Sequence, residues 1–156
     1  MDRRKQPGIE IAQIVVERAQ FAHREDYLSL PSNTQVSPLP LRLKARFGLD
    51  ANKKNGNIKL EVVTDEEQKP LYILNLVLVA LIRVEEGAAN MSLERYAAVN
   101  GAAMLFPFVR ELVANLTSRG RFGPVWLHPI NLVAGARTNS APGADKPRSR
   151  SVRRKK

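Results

Sequence analysis

From Leu71 to Val84 the sequence carries a long run that is apolar on both sides of an extended backbone. Successive side chains of a strand point to opposite faces. Leu71, Ile73, Asn75, Val77, Val79 and Leu81 therefore share one side, and Tyr72, Leu74, Leu76, Leu78, Ala80 and Ile82 the other. An antiparallel sheet usually keeps one face in water, so such a strand needs two covers. Helices packed on one side of the sheet supply only the first. The second has to be a partner subunit, a bound polypeptide or both, because a large apolar patch is seldom left bare.

The neighbouring stretches supply the rest of a sheet. Ile9 to Phe21 reads as a long bent strand whose apolar alternation shifts phase after Ile11 and again after Val16, the signature of one or two bulges. His23 to Pro40, with Pro31 and Pro38, reads as a crossover loop. Leu39, Leu41, Leu43, Ala45 and Phe47 alternate with polar or proline positions and predict a second strand. Asn52 to Asn57, containing Asn55-Gly56, predicts a turn, Ile58 to Thr64 a third strand, and Asp65 to Pro70 a charged turn before the fourth. Short connections make this part an antiparallel meander. Ser92 can cap a helix from Leu93, weakened at Asn100-Gly101. A second helix follows through Leu105, Phe108, Val109, Leu112, Val113 and Leu116, with Pro107 kinking it or lying near its start. Gly120 is the expected left-handed stop, and Pro129 can open a short helix from Ile130 to Ala136. The fold class is α+β: a four-stranded antiparallel sheet with helices on one face.

Charge divides the chain. The net charge of +10 suggests a nucleic-acid binder, but it is concentrated at the ends. Arg137 to Lys156 holds eight basic residues against Asp145, and residues 1 to 5 hold three against Asp2, which leaves +1 for residues 6 to 136. The expected organisation is a basic tail over 1–8, one domain over 9–136 and a disordered basic tail over 137–156, which has Val152 as its single large aliphatic. That tail either tethers the protein to nucleic acid or an anionic surface or simply solubilises it. No aromatic residue stands among its charges to stack on bases. Without cysteine the chain suits a reducing compartment, and cytoplasm is the default. The N-terminus does not read as a signal peptide, and the run from Leu71 to Ile82 is too short for the roughly 20 residues of a membrane span.

The residues of an enzyme are not assembled in any recognisable pattern. His23 and His128 have no metal-ligand spacing, and Glu66-Glu67 and Glu85-Glu86 are adjacent pairs whose side chains diverge on extended chain. Gly120-Arg121-Phe122-Gly123 follows a helix, where a phosphate loop would lie between strand and helix. The expectation is a protein that is not an enzyme and has no cofactor or metal.

Three blocks narrow the function. Leu105-Phe106-Pro107-Phe108-Val109-Arg110-Glu111 resembles the Leu-Phe-Pro-Tyr-Ala-Arg-Glu of the SecB export chaperones. Ser118-Arg119-Gly120 with Phe122, and Leu127 with Pro129-Ile130-Asn131, follow in the same order, the last being similar to that family's Leu-X-Pro-Val-Asn-Phe. The resemblance covers about Ile9 to Val133. It implies a four-stranded sheet with helices on one side, assembled as a dimer of dimers, that holds unfolded preproteins in long apolar grooves. Carried over, the client groove involves Leu41, Leu43 and Tyr72, with Val36, Leu39 and Leu76 added on the local pattern. SecB proteins are acidic and dock the motor SecA through carboxylates on the first and fourth strands. Here the matching positions are Arg18, Ala22 and Asn75, and the family's long final helix gives way to the basic tail. The expectation of SecA coupling is weakened by this and that of client holding is not. The leading reading is an ATP-independent holdase, followed by a SecB-like guardian of an antitoxin and, in another class, a basic-tailed nucleic-acid-binding adaptor.

Overall fold

The apolar alternation folds as an antiparallel sheet. In the computed structural model, which describes residues 8–36, 38–85 and 91–129, β1 (Ile9–His23), β2 (Leu41–Leu49), β3 (Asn55–Thr64) and β4 (Tyr72–Val84) stand in the order β1-β4-β3-β2. All neighbours are antiparallel. β1 slips register against β4 between Ile11 and Gln13 and between Val16 and Arg18, the two places where its apolar phase shifts. The bulges follow from that pattern: each extra residue returns the next apolar side chain to the inner face.

One helix, α1 (Leu93–Thr117), covers the middle of that inner face, leaving Ile11 and Val16 of β1 and Phe47 of β2 exposed, where the sequence predicts two helices. Ser92 caps it, its hydroxyl accepting from the Arg95 N–H at 3.3 Å. Asn100-Gly101 does not divide it, because Gly101 lies buried against the sheet, at Ile58. A Cβ there would meet the Ile58 Cγ2 at 2.9 Å. A helix glycine costs roughly 0.5–1 kcal/mol relative to alanine, and here the close approach is what it makes possible. Pro107 lies inside α1 on its exposed side, where the Ala103 carbonyl, left without its helical donor, can be met by water. At 25 residues α1 is long and apolar enough to cross a bilayer by composition, yet it lies along the sheet. Its face toward the sheet carries Leu93, Ala97, Leu105, Val109 and Val113, packed on Ile58, Leu60, Val62, Leu74, Leu76, Leu78 and Ile82.

Two turns also differ from expectation. β3 begins at Asn55, so the β2–β3 turn is Asp50 to Lys54, with Lys53 at a φ of 53°. The Asp50 carboxylate accepts from the Lys54 N–H and the Asn55 amide, both at 2.9 Å, which lets a lysine occupy the left-handed position. After α1 the left-handed residue is Gly123, at a φ of 83°, and not Gly120. Gly120 is needed for space: a Cβ would stand 2.6 Å from the Tyr72 ring. The helix expected over Ile130 to Ala136 and the tail over 137–156 lie outside the described residues, as do residues 1–7 of the N-terminal tail.

The two-sided character of β4 is resolved unequally. Its inner side chains from Tyr72 to Ile82 are fully buried under α1. On the outer side Val77 is buried between its cross-strand neighbours Arg18 and Glu61, whose aliphatic stems can lie over it, while Leu81 stays exposed. The second cover is therefore partly internal.

Candidate functional site

Downstream of α1 the chain turns back along the helix and is stitched down by side chains whose hydrogen bonds reach across the fold. Thr117, fully buried, donates its hydroxyl to the Val113 carbonyl at 2.7 Å and accepts from the Val125 N–H at 2.8 Å. The Tyr72 hydroxyl donates to the Gly123 carbonyl at 3.0 Å and accepts from the Phe122 N–H at 2.9 Å. Burial pushes the Tyr72 phenol up in pKa, which keeps it a donor. The Arg110 Nε donates to the Leu127 carbonyl at 2.9 Å, and the Arg121 N–H donates to the His23 Nε2 at 3.0 Å. His23 stacks on Tyr27 at 4.4 Å and meets Phe21 and Tyr72 edge-on, a structural role.

These bonds hold residues 125–128 beside β2. Val125 and Leu127 point inward and are buried, which throws Trp126 outward at 71% exposure. Between this segment and the sheet lies an apolar pocket of about 220 Å³, lined by Pro38, Leu39, Leu41, Leu43, Phe106, Val125, Trp126, Leu127 and His128. A second pocket, of about 350 Å³, adjoins it through Pro38 and Leu39 and adds Leu30, Val36, Gln35, Arg24 and Lys69. Together they form a path along the crossover loop and the start of β2. Its chemistry is apolar at the Trp126 end and mixed at the other, where Arg24, Thr34, Gln35, Gln68 and Lys69 stand among the apolar residues. It suits an extended chain better than a small molecule.

Four of the six predicted groove residues lie on this path: Val36, Leu39, Leu41 and Leu43. Tyr72 and Leu76 do not. Both are 0% exposed, Tyr72 clamping the return segment and Leu76 packed in the core. Trp126, Phe106 and His128 line the path without having been anticipated. The signal for Trp126 was present: in Val125-Trp126-Leu127 the flanking aliphatics alternate into the core and leave the largest side chain outside.

The hydroxyl of Thr117 offers a test of how the wall is held. Thr117→Val keeps the volume and leaves the buried Val125 N–H without its acceptor. Chemical denaturation is expected to show a loss of about 1–3 kcal/mol.

The geometry has counterparts. The model of the family described as preprotein translocase subunit SecB matches residues 5–138. The chain belongs to the SecB family. The SecB protein-export protein of Afipia carboxidovorans is 35% identical over 79 residues, 51% of this chain and 48% of that protein, so the match spans about half the length of that relative. The SecB protein of Paracoccus denitrificans is 28% identical over 134 residues, covering 77% of this chain and 73% of its own. Among solved structures, the Mycobacterium tuberculosis Rv1957 SecB-like chaperone, in complex with a ChAD peptide from the Rv1956 HigA1 antitoxin, superposes with a TM-score of 0.63 at 23% identity, over 78% of this chain and 90% of that one. This last likeness is one of fold. By family, the class of this SecB protein is that of a holdase chaperone.

Proposed function

We propose that this SecB-family protein holds non-native polypeptides, preproteins above all, without ATP, and that it does so in the groove between β2 and the return segment. The observation that carries the site is the exposed Trp126 set beside Leu41, Leu43 and Phe106 in an apolar path. Val36 and Leu39 extend the path, while Tyr72 holds the return segment that forms its wall. Contact of this kind grips an unfolded segment through apolar side chains and is weakly selective in sequence. The protein works in the cytoplasm as a homo-oligomer, a dimer of dimers. One outward side of α1 supports that assembly: Phe108 is exposed there, with Leu112 and Leu116 half-buried beside it at four-residue spacing. The domain runs over 9–136 between two basic tails.

Purified protein in several-fold molar excess over a chemically denatured client, without nucleotide, is expected to suppress light scattering from aggregation. Unchanged scattering would reject the proposal. A second reading, protection of an antitoxin, draws support from the positions that hold carboxylates in SecA-docking relatives. Here they are Arg18, Ala22 and Asn75, with Arg18 and Asn75 on the sheet face away from α1, and they offer SecA no acidic surface. Proteins co-purifying with the full chain separate the readings: preproteins support the first and an antitoxin the second. Removal of residues 137–156 asks whether any nucleic-acid binding resides in the tail.

A further inference from the structure

The face of the sheet turned away from α1 has an order of its own. Register across all four strands defines three successive rows: Gln20, Asn75, Val63 and Arg42; then Arg18, Val77, Glu61 and Lys44; then Val15, Val79, Lys59 and Arg46. Leu81, opposite Gln13 and Asn57, adds a further apolar side chain. The apolar residues gather on β1 and β4, and Val15 and Leu81 are exposed. The cations gather at the rims, on β2 and at Arg18.

Several of these charges are already matched. Lys59 pairs with Glu17 at 2.7 Å and Arg42 with Asp65 at 2.8 Å. Arg18, Lys44 and Arg46 are exposed and make no ion pair among the described residues. Glu61 is opposite Lys44 in the register but does not close a bridge to it. The face therefore offers an apolar strip flanked by three unmatched cations, Arg18 on β1 and Lys44 and Arg46 on β2, on the opposite side of the sheet from the groove.

We infer that this face docks an extended acidic segment of another protein, its apolar side chains over Val15, Val79 and Leu81 and its carboxylates against Arg18, Lys44 and Arg46. Side chains of such a segment alternate, so apolar and acidic residues reach strip and rims together. Nucleic acid would match the charge but would leave the strip uncovered, and none of the row residues is aromatic, so bases have nothing to stack on. Charge complementarity sets encounter and choice of partner, and the apolar strip sets retention.

The test uses the full chain and a short fluorescent peptide of alternating Glu and Val, with a Lys-Val peptide and a single-stranded oligonucleotide beside it. Anisotropy is expected to show binding of the Glu-Val peptide that weakens with salt. Arg18→Glu, Lys44→Glu and Arg46→Glu combined should weaken it by at least about tenfold, and the three Gln replacements by less. Val15→Ser with Leu81→Ser should weaken it without changing the salt dependence. Suppression of client aggregation should survive all of these, since none touches the groove. Equal binding of the Lys-Val peptide, or Glu-Val binding undiminished by charge reversal, would overturn the inference. So would oligonucleotide binding that is lost with the three cations while peptide binding is not.

Discussion

Tyr72→Ala is expected to cost about 3–5 kcal/mol of stability, the range for emptying a large buried aromatic site, and to remove client holding with it. The two losses have one origin. Tyr72 is fully buried at the first position of β4, lies against Gly120, and both donates to the Gly123 carbonyl and accepts from the Phe122 N–H. Without the ring there is a cavity beneath Phe21 and His23; without the hydroxyl the backbone at 122–123 has no partner. Tyr72→Phe separates these effects. It keeps the ring and should lose only about 1–3 kcal/mol, with the return segment opening to hydrogen exchange before the sheet does. Denaturant titration and amide exchange of both variants check this; a Tyr72→Ala protein as stable as the parent would remove Tyr72 from its place as the clamp.

Trp126→Ala is expected to act the other way round, sparing stability and destroying function. At 71% exposure its truncation should move the unfolding midpoint little, since surface changes are usually within about 0.5 kcal/mol. Exposed aromatic anchors at the centre of a contact are where binding energy concentrates, commonly about 2 kcal/mol or more per residue. Client affinity should accordingly fall by about thirtyfold. Because Trp126 is the single tryptophan of the chain, the parent protein reports the same event directly. Its emission should shift to the blue as a client covers the indole. A variant that folds and holds clients as well as the parent would move the client site off this groove, with the exposed Phe108 side of α1 as the next place to look.

The sheet was legible because its cause is local. Side-chain alternation set the four strands, and the phase breaks after Ile11 and Val16 located both bulges. The helix was misread at Gly101 because what preserves it is a contact with Ile58, distant in sequence. Gly120 is a similar case: its small size answers to Tyr72 and its backbone to nothing unusual. The groove was half legible. Leu41, Leu43 and Tyr72 came from the family resemblance and Leu76 from the local pattern; on β4, apolar on both sides, neither guide tells inward from outward, and Tyr72 and Leu76 are buried. Trp126 was missed because its position depends on hydrogen bonds from Thr117, Arg110 and Tyr72.

Those same bonds set an order of events during folding. The Tyr72 hydroxyl and the Gly123 carbonyl are 51 positions apart, and His23 waits 98 positions for the Arg121 N–H. Contacts so distant in sequence form late, after the loops between them have closed. The sheet and α1 can assemble before residues 121–128 have joined them, but the Trp126 wall cannot form until both are in place. A protein that grips unfolded chains thus acquires its grip last, when its own strands have already been put out of reach.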